Sequence, residues 1–228
     1  MTTRKLITDV FDFNGAAKQD RWSTVVTGAA PPTGAHGDGC LELALTTDVQ
    51  IQNVCVAMGD KLPYDIDDLE QVDIWAKCTA SLAAVCQASF GMASARNDTI
   101  DSLTNHASFR LIGSNAVYCE SDDNTNDVDD ISAGDTLVAA YKHFRINFKE
   151  GLLTVGPPAN RVGGAGGKAN VLFSMENAQG QLRPVCQSQR FNMENCSTGL
   201  QPYFQLQKTS NAAGGTLSIR RVEISYRL

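Results

Sequence analysis

The residues able to do chemistry are concentrated in one acidic run. Residues 120–135 read Glu-Ser-Asp-Asp-Asn-Thr-Asn-Asp-Val-Asp-Asp-Ile-Ser-Ala-Gly-Asp and hold seven acids and no base. Asp122-x-Asn124-x-Asn126 resembles the opening of a calcium loop, where oxygen ligands alternate along a tight turn. The sixth position is Asp127 where such a loop needs Gly, and the twelfth is Ala133 where it needs Glu. An irregular calcium site would draw on Asp122, Asp123, Asp127, Asp129 and Asp130. The plainer expectation is a solvated loop tip. A third is an acidic patch that docks on a basic surface of a partner.

Other constellations fail on spacing. A retaining glycosidase needs two carboxylates flanking one bond about 5 Å apart. Glu70 and Asp73 are three positions apart and would point to opposite faces of a strand. Gly163-Gly-Ala-Gly-Gly-Lys168 lacks the first P-loop glycine, because Val162 stands there, and Ala169 replaces the Ser or Thr after the lysine. That stretch reads as a flexible loop. No Gly-x-Ser-x-Gly elbow occurs, and no Ser/His/Asp or Cys/His grouping follows from spacing. Tyr203-Phe204 could stack on a sugar, but alternation makes one of them core and one exposed. No catalytic residue emerges, and the expectation is a protein that is not an enzyme.

The seven cysteines (Cys40, Cys55, Cys78, Cys86, Cys119, Cys186, Cys196) form no C-x-x-C, and His36, His106 and His143 lie apart from them. Zinc is poorly supported, and the thiols are expected to act as small buried hydrophobes. No cofactor is called for beyond a calcium ion in the acidic run. Taking the seven acids of that run away from a net charge of −6 leaves the rest of the chain at +1. No basic face for nucleic acid is implied. No run of eighteen apolar residues suggests a membrane span, and Met1–Asp9 lacks the apolar core of a signal peptide.

The elements that must carry these residues are all short strands. Leu6–Phe13 alternates, with Ile7, Asp9, Phe11 and Phe13 on one side. Trp22 is expected to plug one end of the core. Cys40–Leu45, Val49–Val56, Leu69–Lys77, Val85–Ala93, Phe109–Ile112 with Ala116–Cys119, Thr136–Ala140, Tyr141–Phe148, Leu152–Val155, Asn170–Met175 and Leu182–Phe191 follow. Parity shifts near Asn53, where a bulge is one account. Ala-rich 78–95 would tolerate a helix, but Gly91 and the surrounding strands favour a turn near Ser81–Ala84 and then a strand. The last thirty residues read as a hairpin, Leu200–Lys208 and Leu217–Leu228. Its second strand changes parity at Arg220-Arg221, which predicts a β-bulge. About a dozen strands and no convincing helix predict an all-β, two-sheet antiparallel sandwich. It is read as a single domain over 1–228 with a short N-terminal arm, 1–5.

Several stretches together resemble a family of tailed-bacteriophage virion proteins with a concanavalin A-like (laminin G-like) jelly roll. They are Phe11-Asp12-Phe13-Asn14-Gly15 with Trp22; Leu69–Lys77 and then Phe90-Gly91; the Asp122–Asp130 run; Phe144-Arg145-Ile146-Asn147-Phe148 turning at Gly151; and Leu200–Phe204 with Val222–Tyr226. The chain departs from that family in its cysteine count and in its 28–39 and 157–168 loops. The resemblance implies that the first and last strands pair. It also implies a capsid decoration or cement protein on the virion exterior, present in host cytoplasm during assembly. Its partners would be the major capsid protein and itself, as a homotrimer, without nucleic acid or membrane. Interaction surfaces are expected in loops 28–39, 120–135 and 157–168, with Asp122, Asp123, Asp127, Asp129, Asp130, Arg161 and Lys168 as contacts. The alternative is a carbohydrate-binding module or tail-fibre adhesin on the same sandwich, because fold does not fix function.

Overall fold

The computed structural model describes residues 5–13, 21–28, 33–37, 39–59, 61, 63–78, 81–148, 171–210 and 214–228. Arg161, Lys168, residues 1–4 of the 1–5 arm and the strand expected at Leu152–Val155 lie outside them. Two antiparallel sheets pack face to face. Sheet A contains β1 (Leu6–Asp12), β3 (Thr33–Gly37), β4 (Cys40–Leu45), β6 (Leu69–Cys78), β11 (Lys142–Asn147), β12 (Leu172–Glu176), β13 (Leu182–Val185) and β15 (Gly215–Arg227). Its order is β13-β12-β11-β6-β15-β4-β3, with β1 also against β15. Sheet B contains β2 (Ser23–Thr27), β5 (Gln52–Ala57), β7 (Cys86–Ala93), β8 (His106–Ile112), β9 (Ala116–Asp122), β10 (Asp127–Thr136) and β14 (Gln201–Lys208). Its order is β10-β9-β8-β7-β14-β5-β2.

Period-two side chains fill the space between the sheets. Leu41, Leu43, Val72, Ile74, Ala76, Leu217, Ile219, Val222 and Ile224 come from sheet A; Val54, Val56, Ala88, Phe90, Met92, Phe109, Phe204 and Leu206 come from sheet B. Phe144 packs edge-on against Phe90 and Phe109, with ring centroids 5.0 and 4.9 Å away. Trp22 closes one end against Phe11, Phe13 and Phe204, as its isolation in a polar stretch predicts.

The first and last strands pair as expected, from Leu6↔Arg227 to Asp12↔Arg221. The bulge is also where the parity change puts it. On β6, Ile219 faces Ala76 and Arg221 faces Trp75, so Arg220 is the extra residue. That insertion lets both Ile219 and Val222 point inward.

Several expectations are corrected, among them that 28–39 is a loop, since Thr33–Gly37 pairs with β4 as β3, and that a strand runs Leu182–Phe191, since β13 ends at Val185. The C-terminal strands are not a hairpin: β14 lies between β5 and β7 in sheet B, and β15 between β4 and β6 in sheet A. Each needs partners on both sides, which a two-stranded ribbon cannot supply. The acidic run is not a loop tip: β9 continues to Asp122, a turn follows, and β10 starts at Asp127. The strand read from Val49 starts only at Gln52, with Val49 and Ile51 exposed and the register through Asn53 unbroken. Residues 137–140 form no strand, because Thr136 already ends β10.

Candidate functional site

The outward face of sheet B is where most of the chain's unusual side chains meet. The pairing of β8 and β9 sets His106 opposite Asp122, Ser108 opposite Glu120 and Arg110 opposite Tyr118. Because Ala107, Phe109 and Leu111 fill the core, His106, Ser108 and Arg110 must face out. The same rule sends Glu120 and Asp122 outward from β9, since Val117 and Cys119 point in. On β10, Asp127 pairs with Asp122, and the register then slips between Val128 and Ile131. Asp129 and Asp130 form that irregularity, and Asp130 feels the charge of Glu120.

Glu120 is the centre of this group. Its Oε1 lies 2.9 Å from His106 Nε2, and its Oε2 accepts from Arg110 Nη1 at 2.6 Å. Arg110 also donates to Gln87 Oε1 at 3.1 Å and to Asp101, and it lies 3.5 Å from Asp130 Oδ1. His106, Arg110 and Glu120 are all buried. His106 Nδ1, Arg110 Nε and the hydroxyls of Ser89 and Ser108 have no hydrogen-bond partner among the described residues. Burial opposes ionisation of Glu120, but hydrogen bonds and charge from His106 and Arg110 outweigh it and hold its carboxyl below the usual range. Asp127 goes the other way. Burial, then Asp129, Asp122 and Glu120, push it up to about 6. Asp130 is raised too, by burial and by Glu120, Asp129 and Asp101, against the pull of Arg110.

The five aspartates of the sequence motif therefore divide. Asp122, Asp127, Asp129 and Asp130 rim the Glu120 cluster. Asp123 is spent on structure: it accepts from the Asn126 amide at 2.6 Å, the Thr125 amide at 3.0 Å and the Asn195 amide at 2.9 Å. These bonds overcome its burial and hold its pKa low. Among the described residues no group of three or more His, Cys, Asp or Glu is arranged to hold a metal ion. The calcium set read from spacing is thus not assembled, because Asp123 turns toward Asn195 and away from the rest.

The centre of the same face is covered by the chain itself. The segment 94–105, with a 3-10 turn at Ile100–Ser102, crosses β5, β14 and β7. Gln205 Nε2 donates to the Asn97 carbonyl at 2.9 Å, Asn53 Nδ2 donates to the Asp98 carbonyl at 2.9 Å, and the Ile100 amide donates to Gln207 Oε1 at 3.1 Å. Ile100 and Leu103 pack on Cys55, Ala57, Ala93 and Tyr203. This strap corrects the reading of Tyr203 and Phe204. One of the pair, Phe204, is core, but the other, outward-facing Tyr203, is only 1% exposed rather than exposed and is no stacking platform.

On sheet A the other acid pair is structural. Asp73 Oδ1 bonds His143 Nε2 at 2.5 Å and accepts from Arg145 Nε at 2.7 Å, while Glu70 pairs with Arg227. His143 in turn stacks on Trp75 at 4.3 Å.

Sequence reasoning missed His106, Arg110 and Glu120. The signal was present in the outward spacing His106-x-Ser108-x-Arg110 and Glu120-x-Asp122. Reading 120–135 as a loop left no face to assign them to.

No protein-family model matches the chain, and no curated protein matches it. Solved structures do. The carbohydrate recognition domain of Emp47p is 11% identical, covering 96% of this chain and 94% of that one, with a TM-score of 0.59. An endo-1,3-beta-glucanase (laminarinase) catalytic domain from Thermotoga petrophila RKU-1 is 10% identical, covering 98% of each, with a TM-score of 0.59. The Crh5 transglycosylase in complex with NAG is 12% identical, covering 95% of this chain and 83% of that one, also at 0.59. These likenesses overturn the expectation that the chain is not an enzyme, since that rested on finding no catalytic constellation and the same architecture serves a glucanase and a transglycosylase. They give no support to a phage capsid decoration protein. At such identities they establish the architecture alone: the chain folds as a concanavalin A-like jelly roll.

Proposed function

We propose that this protein binds carbohydrate at the β8–β10 end of the outward face of sheet B. One observation carries the reading. A buried His106–Glu120–Arg110 group is held rigid beneath exposed Asp127, Asp129 and Asp130, at the end of the face beyond the 94–105 strap. Carboxylates gathered on one face can accept hydrogen bonds from sugar hydroxyls, and Asp130 is anchored by Arg110 at 3.5 Å. The solved neighbours named for carbohydrate recognition and glucan cleavage support the same reading. The test is a glycan array followed by calorimetry on the full chain. Asp127→Asn with Asp129→Asn is expected to weaken binding at least about tenfold, the loss of one or two charge-assisted hydrogen bonds. Absence of binding across a broad panel of oligosaccharides would sink the proposal.

A second reading is cleavage of the bound glycan, favoured by the glucanase and the transglycosylase among the solved neighbours and by the raised pKa of Asp127. Exposed Asp127, pushed up to about 6, has the raised value a general acid needs, and Glu120, buried with both oxygens taken by His106 and Arg110, helps to hold it there. Release of reducing ends on the same panel, lost in Glu120→Gln, separates cleavage from binding alone. Attachment to a capsid shell as a homotrimer, with the major capsid protein as partner, rests on the sequence resemblance alone.

A further inference from the structure

Cys119 and Cys186 come from opposite sheets and meet at one edge of the sandwich. Cys119 lies on β9 of sheet B with its thiol in the core and no exposed surface. Cys186 directly follows β13, the edge strand of sheet A, and remains partly exposed. The Cys186 thiol donates to the Ile131 carbonyl at 3.4 Å and to the Ser132 carbonyl at 3.3 Å. Ile131 is the cross-strand partner of Cys119. Cys186 packs against the core cluster that contains Cys119, and each thiol perturbs the ionisation of the other. Cys186 also sits in the left-handed region at φ 54°, a conformation that few side chains adopt without a local reason. Both thiols are free in the structure, and the other five cysteines are buried.

We propose that Cys119 and Cys186 form a reversible disulfide when the protein meets a low-molecular-weight disulfide such as oxidised glutathione. The inference is independent of the carbohydrate reading. Reactivity divides between the two sulfurs in the order the reaction needs. The neighbouring Cys119 thiol lowers the pKa of Cys186, while burial raises that of Cys119. Cys186 is therefore the attacking thiolate and the one that a reagent can reach. Its sulfur bonds to one sulfur of the small disulfide, whose S–S bond breaks and releases one small thiol. Cys119 then attacks the Cys186 sulfur of the mixed disulfide and expels the second small thiol. The protons of the two protein thiols end on the two released thiols. Two protein thiols are oxidised by two electrons, and one small disulfide is reduced to two thiols. The new bond ties sheet A to sheet B and closes a loop of roughly 70 residues.

The test treats the native, full-length protein with oxidised glutathione, blocks remaining thiols and maps peptides without reduction. The expected product is 2 hydrogens lighter, with the Cys119 peptide joined to the Cys186 peptide and a melting temperature raised by about 5 °C or more. Dithiothreitol should reverse both changes. Cys186→Ser should abolish the link, and Cys196→Ser should leave it intact. Cys119→Ala, checked for an unchanged fold by its circular dichroism, should stop at the glutathione adduct on Cys186. A wild-type protein that stops at that adduct, joins a different pair or remains fully reduced would overturn the proposal.

Discussion

Arg110 and Glu120 leave neighbouring strands on the same side, and Arg110 Nη1 donates to Glu120 Oε2 at 2.6 Å with both side chains 2% exposed. A buried ion pair of this kind is fragile to the loss of one partner, because the other charge stays out of water. Glu120→Ala is expected to destabilise the fold by about 3–5 kcal/mol in denaturant titration. Glu120→Gln should cost less, since an amide oxygen still accepts from Arg110. The sign with pH follows from the depressed pKa. Glu120 contributes stability that is present above its ordinary value of 4.5 and is lost as pH falls through its lower folded-state value. The acid limb of the wild-type stability curve should therefore be steeper than that of Glu120→Gln. Parallel limbs would remove Glu120 from the account.

Asp127 predicts the opposite slope. Its carboxyl is pushed up to about 6 from 3.8, so the folded state favours the protonated form. The advantage is complete below 3.8 and lost as pH rises through about 6. Asp127→Asn should raise the melting temperature at pH 8 and change it little at pH 3. A variant less stable than wild type at pH 8 would show that Asp127 is held by an attraction the structure does not contain.

The 94–105 strap is held by side-chain amides from the sheet beneath it. Gln205 contributes twice, donating to the Asn97 carbonyl and to Asn53 Oδ1 at 3.0 Å. Gln205→Ala leaves those acceptors buried without their donor, a loss of about 1–3 kcal/mol. Amide hydrogen exchange should accelerate at residues 96–102 while β14 keeps its protection. Unchanged exchange in the strap would mean that Ile100 and Leu103 hold it by packing alone.

Gly91 is fixed by sheet spacing. A Cβ there would lie 2.3 Å from the Ala107 carbonyl oxygen and 2.7 Å from Ser108 Cα, both backbone atoms of β8. Neither can rotate aside, so β7 and β8 would have to part. Gly91→Ala should destabilise by about 1–3 kcal/mol, measured by thermal or denaturant unfolding. A neutral substitution would show that the two strands can spread without loss.

Much of the fold was legible in the chain because a strand shows its inward face every second residue. Leu41, Leu43 and Leu45 announce β4; Val72, Ile74 and Ala76 announce β6; and the parity change at Arg220-Arg221 announces a bulge. Alternation, however, gives a residue's face and not its sheet. That is why Leu200–Lys208 and Leu217–Leu228, two good strands joined by a polar turn, read as a hairpin although they lie in opposite sheets. The site suffered more. Glu120, Asp122 and Asp127 are recognisable as acids, but which of them share a face depends on the long-range pairing of β9 with β8. The sequence by itself determined most of the strands, their inward faces and the acidic run. Only the tertiary structure decided that Asp123 would serve Asn195, that Glu120 would be buried between His106 and Arg110, and that Tyr203 would lie under the chain's own 94–105 segment. Each of these is a contact between residues that pattern cannot relate, because it depends on which strands lie side by side.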